Sequence, residues 1–238
     1  MFKTLLVLIY FVGFLLYTLS VRVKVMILNK KGMEKEMYEV VHNMARMWGR
    51  QITGVTGSKV TVSGEENIPK DRGVVFIANH QSYFDVPVMM GYVNKPLGFI
   101  TKVELSKIPI FSMWLKLLGC VFIVRNDAKQ SLKAINQGAQ QVKSGNSMVI
   151  FPEGTRSVDG KLGEFKPGSL KLAVKSGAPI VPVVIKGTIN VMNKKSLAIK
   201  AADVEIIILP PIMQEEIGKR DTNDLAEQLK NIIMEKLA

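Results

Sequence analysis

The chain alternates short apolar runs with segments of helical periodicity, and this alternation restricts the possible fold more than any other feature. The apolar runs, rich in β-branched residues and predicted to be strands, are 74–78, 98–101, 121–124, 148–151, 180–185 and 204–209. The segments predicted to be helices are 86–92, 110–118, 131–144, 168–176 and 222–237. Such alternation is typical of α/β proteins. We therefore expect a largely parallel, twisted sheet that is covered by helices.

Polar side chains follow four of these predicted strands directly. The segments concerned are 79–85, 125–127, 152–157 and 186–188. In open α/β sheets, ligands bind outside the carboxyl ends of the strands, and these ends meet at one edge. A functional site is therefore predicted at that edge.

His80 and Asp85 are the main catalytic candidates. On a continuous helix, five positions turn through about 500°, which would leave the two side chains roughly 140° apart. They can meet only if His80 leaves a strand and Asp85 lies in the first turn of a helix, which Ser82 would cap. The carboxylate would then fix the imidazole tautomer and make His80 a general base. A structural histidine with a capping aspartate is the alternative, and the spacing alone leaves both open.

A serine nucleophile is not expected. Ser82 lies between His80 and Asp85, but the G-x-S-x-G motif of serine hydrolases is absent from the sequence. His80 would therefore deprotonate an acceptor hydroxyl that attacks the second substrate directly. His42, the other histidine, falls on the polar side of a predicted helix, where we expect it to be solvated.

Residues 153–156 carry groups that suit an anionic ligand. Gly154 permits a tight turn, Thr155 offers a hydroxyl, and Arg156 offers a planar fork that matches phosphate. Two further basic residues are candidates for a phosphate contact or are ordinary surface charges, namely Lys102 and Arg125. Walker and dinucleotide glycine patterns are absent from the sequence, so the usual nucleotide cradle is missing.

The N-terminal part of the chain has a different pattern. Residues 4–21 are 18 consecutive uncharged positions. As a helix they would measure about 27 Å, just under the roughly 30 Å of a bilayer's hydrocarbon core. We expect a membrane-associating helix. A buried core helix and a cleaved signal peptide are the alternatives, although no small-x-small cleavage site follows the run.

An amphipathic helix is predicted over residues 33–52, where apolar residues recur at steps of three and four. Its Met-rich face either packs on the catalytic core or lies at the membrane boundary. We therefore expect membrane-associating helices over residues 1–55 and one catalytic domain over residues 56–238. The first helix either spans the bilayer or enters one leaflet as part of a hairpin, and the amphipathic second helix favours the hairpin.

The formal net charge of +12 indicates an anionic partner, such as nucleic acid, an acidic membrane surface or a phosphorylated substrate. Nucleic acid is not expected as the partner. Proteins that bind single strands place aromatic side chains among their Lys and Arg residues to stack on the bases, and aromatic residues make up only 7% of this chain. Cys120 is the only cysteine, which excludes a disulfide framework and a cysteine-rich zinc site.

Four blocks together resemble the glycerolipid acyltransferase family. Residues 79–85 (NHQSYFD) contain the H-x-x-x-x-D motif of that family, and residues 119–125 (GCVFIVR) resemble its second block. Residues 151–157 (FPEGTRS) match the third block closely, and residues 181–187 (VPVVIKG) resemble the fourth. The first motif alone is a weak signal, whereas four blocks in the same order form a specific one.

The resemblance implies transfer of a fatty acyl group from acyl-CoA or acyl-ACP to the sn-2 hydroxyl of lysophosphatidic acid, giving phosphatidic acid. It implies that His80 is the base, that Asp85 supports it, and that neither a metal nor an organic cofactor takes part. The residues that it associates with the acceptor are Lys102, Arg125, Glu153, Gly154, Thr155 and Arg156. The donor is carried in the cytosol, so the catalytic domain is expected on the cytosolic face of a membrane.

Two alternatives stay open at this point. The chain could acylate glycerol 3-phosphate or a lysophospholipid with a larger headgroup, although Pro152 and Thr155 favour lysophosphatidic acid. It could also be a basic module that binds membranes or nucleic acid without catalysis. The concentration of a histidine, carboxylates and an arginine at predicted strand ends argues against that second alternative.

Overall fold

The computed structural model describes residues 2–124, 127–196, 198–218 and 220–237. Within these ranges the strands are β1 (Lys59–Ser63), β2 (Val75–Ala78), β3 (Leu97–Lys102), β4 (Val121–Ile123), β5 (Ser147–Ile150), β6 (Ile180–Lys186) and β7 (Asp203–Ile208). They form one sheet in the order β1-β7-β6-β2-β5-β3-β4. The β6–β7 pair is antiparallel and the other pairs are parallel. The predicted α/β fold is therefore confirmed.

Helices cover both faces of this sheet. They are α1 (Phe2–Lys30), α2 (Glu34–Val55), α3 (Asp85–Tyr92), α4 (Pro109–Leu117), α5 (Ala128–Lys143), α6 (Pro167–Ser176), α7 (Thr188–Val191), α8 (Gln214–Ile217) and α9 (Thr222–Leu237). Alternate side chains of β2 point to opposite faces. Phe76 therefore packs in a core with α1 to α4, whereas Ile77 packs in a second core with α5, α6 and α9.

Helix α2 packs on the core of the α/β domain. Its buried apolar residues are Val41, Met44 and Ile52. Gly49 crosses α3 so closely that a side chain there would collide with the backbone of Gly91, and Arg50 Nε donates a hydrogen bond to the Gly91 carbonyl at 2.8 Å. These contacts place Val41, Met44 and Ile52, on the apolar face of α2, in the core beneath the sheet. The membrane association of residues 1–55 stays a prediction.

Helix α1 lies along the protein rather than projecting from it. The residues of its inner face, which are buried, are Val7, Phe14, Thr18 and Val25. Near its N-terminus, Lys3 Nζ donates to the Thr56 carbonyl at 3.0 Å, and the Ile199 N–H donates to Thr4 Oγ1 at 3.1 Å. The first turn of α1 is therefore attached to the end of α2 and to the segment before β7.

The outer face of α1 is apolar and exposed. Its most exposed large residues are Phe2, Leu5, Leu8, Ile9, Val12, Leu16, Tyr17 and Val23. Among the described residues, α1 is the one helix long and apolar enough to cross a bilayer, judged by length and composition alone. An exposed apolar stripe of this length is unusual for a monomer in water and is typical of a contact with lipid or with another protein.

Candidate active site

His80 and Asp85 meet at the carboxyl end of β2, in the middle of the sheet. His80 lies two residues beyond β2 and Asp85 is the first residue of α3, so the turn between strand and helix brings them together. His80 Nδ1 and Asp85 Oδ2 are 2.6 Å apart. The Asp85 side chain is completely buried, and that of His80 is 15% exposed. The predicted contact is therefore present, with the imidazole at the surface end.

The Asp85 carboxylate is held by several donors. Oδ2 also accepts hydrogen bonds from the backbone N–H groups of Gln81, at 2.7 Å, and Ser82, at 2.8 Å. Oδ1 accepts the hydroxyl hydrogen of Thr188 at 2.5 Å. These donors contact both oxygens and fix the orientation of the carboxylate. Because a carboxylate only accepts, Nδ1 of His80 carries the proton in the neutral ring, and Nε2 keeps a lone pair.

Ser82 does not cap α3, contrary to expectation. The helix begins at Asp85, and the Ser82 hydroxyl lies before it, where it accepts from the Phe84 N–H at 3.2 Å. The same hydroxyl donates to the Met192 carbonyl at 2.6 Å. Ser82 thus ties the motif loop to the segment that follows α7, because its hydroxyl accepts from the loop and donates to Met192.

The backbone of His80 is clamped by the segment that follows β5. Its N–H donates to Glu153 Oε1 at 2.6 Å, and its carbonyl accepts from the Ser157 N–H at 2.9 Å. The imidazole also stacks on the ring of Phe151, with centroids 4.2 Å apart. Main chain and ring are therefore both fixed by residues 151–157.

Glu153 holds this segment in place. Its second oxygen, Oε2, accepts from the Gly163 N–H at 2.9 Å, and the residue is only 6% exposed. Burial raises the pKa of the Glu153 carboxyl, and the N–H groups of Gly163 and His80 oppose that rise. Each oxygen accepts a backbone N–H, so Glu153 holds His80 and Gly163 together, and its contact with the acceptor stays a prediction.

Arg156 is brought close to the His80–Asp85 pair because its neighbour Ser157 donates to the His80 carbonyl. Its guanidinium lies over the ring of Tyr83, with Cζ 3.5 Å from the ring centroid. Stacking on an aromatic face immobilises the guanidinium and leaves its N–H edge available for an anion. Tyr83 was not predicted from the sequence, because nothing in its neighbourhood signals the stack.

The other residues predicted to bind the acceptor lie at different positions relative to His80 and Asp85. Gly154 adopts φ +69° and makes the expected tight turn. Thr155 is exposed, and its hydroxyl oxygen accepts a hydrogen bond from Lys194 Nζ at 3.2 Å. Lys194 was not predicted from the sequence as a site residue. Lys102 ends β3 and is exposed at the same edge, with β5 between β3 and β2. Arg125 lies outside the described residues.

An α/β sheet that carries a His–Asp pair at its carboxyl edge, with the histidine backbone held by the FPEGTRS segment, is the arrangement on which the comparison with known proteins bears. The acyltransferase family model matches residues 59–186, more than half of the chain. This chain belongs to the acyltransferase family.

Among its relatives, a chloroplastic 1-acyl-sn-glycerol-3-phosphate acyltransferase from Brassica napus is 33% identical over 82% of this chain. The enzyme of the same name from Borreliella burgdorferi is 30% identical over 77% of it. The chain spans 56% of the length of the first relative and 73% of the second. The crystal structure of the 1-acyl-sn-glycerophosphate acyltransferase from Thermotoga maritima has a TM-score of 0.87 at 30% identity, covering 99% of this chain and 93% of that one.

Proposed function

We propose that the protein transfers a fatty acyl group from acyl-CoA or acyl-ACP to the sn-2 hydroxyl of 1-acyl-glycerol 3-phosphate, giving phosphatidic acid. The observation that carries this proposal is the His80–Asp85 pair, since Asp85 engages Nδ1 and leaves Nε2 free to take a proton. The names of the relatives supply the substrate class. The guanidinium of Arg156, fixed on the same segment as the clamp of His80, supplies a complement to the acceptor's phosphate.

The reaction needs one proton carrier and no covalent enzyme intermediate. His80 Nε2 removes the proton of the sn-2 hydroxyl as that oxygen attacks the thioester carbonyl. Asp85 stabilises the imidazolium that forms. When the tetrahedral intermediate collapses, the C–S bond breaks and the departing thiolate takes the proton from Nε2. The ester bond has then formed, and His80 is neutral again.

The test of this function is an assay of the purified protein with lysophosphatidic acid and each acyl carrier, using acyl chains of graded length. We expect phosphatidic acid as the product on thin-layer chromatography. Glycerol 3-phosphate and lysophosphatidylcholine, offered as competing acceptors, should react far more slowly. Equal transfer to either of them, or no transfer to lysophosphatidic acid from both carriers, would refute the proposed acceptor.

Arg156 is expected to act through the acceptor's phosphate. Because a charge-assisted hydrogen bond is lost, Arg156→Ala should raise KM for lysophosphatidic acid by about 10- to 100-fold. Arg156→Lys should recover only part of that loss, since an ammonium cannot form a bidentate fork. Steady-state kinetics at varied acceptor concentration would measure both variants.

Controls for Arg156 lie in the same structure. Arg72 is exposed and paired with Asp71 just before β2, at the opposite edge of the sheet, so Arg72→Ala should leave KM unchanged. Tyr83→Phe keeps the stacking ring and should behave as the wild type, whereas Tyr83→Leu should share part of the Arg156 defect. If KM for an acceptor without a phosphate rises as much as that for lysophosphatidic acid, Arg156 is structural.

We further propose that α1 enters one leaflet on the cytosolic side and holds the active-site edge near the lipid surface. The support is that Lys3 and Thr4 are attached to the catalytic domain, while the opposite face of the helix is exposed and apolar. A spanning helix would place its first turn across the bilayer from the domain, which would break both contacts. The surplus of positive charge adds attraction to anionic lipid, about 1 kcal/mol for each cation near the surface.

Labelling at position 2 tests this orientation. Phe2→Cys, in inverted membrane vesicles that expose the cytosolic face, should react with an impermeant maleimide from outside. The native Cys120 is buried and gives little background. Gln137→Cys, on the exposed side of α5, marks the side on which the catalytic domain lies. Reaction at position 2 only after the vesicles are opened, with position 137 reacting before, would establish a spanning helix.

A further inference from the structure

Thr188 is a completely buried residue that the proposed chemistry does not yet use. It lies two residues beyond β6, at the start of the short helix α7. Gly187, directly before it, adopts φ +85°, and a side chain there would collide with the carbonyl oxygen of Asp203. This glycine turn brings the Thr188 side chain to Asp85, where its hydroxyl donates to Oδ1 at 2.5 Å.

The hydroxyl has a single proton, and Asp85 is its nearer acceptor, because Gln81 Oε1 is 3.4 Å away. Oδ2 of Asp85 has three hydrogen-bond donors. Among the described residues, Oδ1 has one donor, the Thr188 hydroxyl. Rotation of the carboxylate about its Cβ–Cγ bond would carry Oδ2 away from His80. The bond from Thr188 opposes that rotation at the other oxygen.

Two further contacts fix the motif loop to the same stretch of chain. The Asn79 side chain donates to the Ile185 carbonyl at 2.8 Å and accepts from the Ile185 N–H at 2.7 Å. The Ser82 hydroxyl donates to the Met192 carbonyl. Thr188 lies between Ile185 and Met192 in the sequence, so contacts on both sides of it fix its position relative to Asp85.

We propose that Thr188 is a positioning residue for the reaction. Its hydroxyl holds the Asp85 carboxylate in the orientation that presents Oδ2 to His80 Nδ1, and so directs Nε2 towards the acceptor hydroxyl. The proposal rests on the function proposed above. Thr188 is completely buried, so it acts through Asp85 and affects turnover rather than acceptor binding.

Two substitutions separate the hydroxyl from the methyl group. Thr188→Val keeps the shape and removes the hydroxyl, and we expect kcat to fall by about 10- to 100-fold with KM within about twofold. Thr188→Ser keeps the hydroxyl and removes the methyl group, and kcat should stay within about threefold of the wild type. Wild-type kcat in the Val variant, or an equal loss in both variants, would overturn the proposal.

If Thr188→Val does not unfold cooperatively, the pair Thr188→Ser and Thr188→Ala decides, because these two differ only by the hydroxyl. The Ser variant should then be the faster by about tenfold, and equal kcat values would overturn the proposal. Variants are compared only where thermal unfolding shows a single transition.

A second readout does not depend on turnover. The proton on His80 Nδ1 should give a low-field NMR resonance, assigned by its loss in His80→Ala. It should persist in Thr188→Ser and should shift or broaden in Thr188→Val. An unchanged resonance in the Val variant would refute the positioning role. Absence of acyl transfer by the wild type, with the resonance still sensitive to Thr188, would instead refute the proposed function.

Discussion

His80→Ala should abolish acyl transfer to lysophosphatidic acid while the protein stays folded. The substitution removes Nε2, the group expected to take the proton of the attacking hydroxyl, and general base catalysis contributes on the order of 10²- to 10⁴-fold in rate. The imidazole is partly exposed at the sheet edge, so its loss leaves a gap at the surface rather than in the core. Turnover and thermal unfolding, measured on the same preparation, would test this expectation.

His42→Ala is the matched control, because His42 is the other histidine of the chain. The prediction that His42 is solvated was wrong, because its ring is largely buried. It stacks on Tyr38 with ring centroids 4.1 Å apart, and burial lowers its pKa to about 4. His42→Ala should therefore lower the unfolding temperature more than His80→Ala does, and leave kcat close to the wild-type value. A His80→Ala protein that keeps wild-type turnover would remove the base from the mechanism.

The central strands could be predicted closely because they are buried on both faces. A strand in the middle of a parallel sheet consists of apolar residues without interruption, and residues 180–185 were expected where β6 covers Ile180–Lys186. The edge strand β1 was missed. Its Lys59, Thr61 and Ser63 alternate with valines because one face is partly open to water, and five such residues resemble a loop.

The His80–Asp85 contact could be predicted because both residues belong to one strand–turn–helix unit, where local geometry decides the outcome. The contacts of Thr188 and Glu153 could not. They depend on β5 and β6 flanking β2 in the sheet, and the residues that meet are 103 and 73 positions apart. Ser82 does not cap because α3 begins only at Asp85, and its hydroxyl makes a contact that spacing could not predict, across 110 positions to Met192. Sequence spacing carries no information on such pairings.

Charging the outer face of α1 should detach the protein from membranes without disturbing its catalysis. Leu8, Val12 and Leu16 form one stripe at steps of four residues and are 56%, 55% and 59% exposed. Each apolar side chain of this size contributes roughly 1.5–3 kcal/mol when it leaves water, so the triple change to Glu should weaken vesicle binding by about 10³-fold or more. Flotation with anionic vesicles would measure this loss.

Substitution is a sharper experiment here than deletion. Removing residues 1–52 would also remove α2, whose Val41, Met44 and Ile52 belong to the core, so loss of activity would not distinguish detachment from unfolding. The triple variant leaves the inner face of α1 intact. Its unfolding temperature and its kcat with detergent-dispersed lysophosphatidic acid should therefore match the wild type.

The control variant must carry the same added charge away from the proposed lipid contact. Gln137, Gln140 and Asn231 are exposed on α5 and α9, which cover the opposite face of the sheet, and their triple change to Glu also lowers the net charge by three. This variant should lose only the small electrostatic share of vesicle binding and keep its activity on membrane-embedded acceptor. If both triple variants bind and react alike, the apolar face of α1 does not contact lipid. A partner protein would then have to cover that face, because an exposed stripe of this size in water would otherwise lead to aggregation.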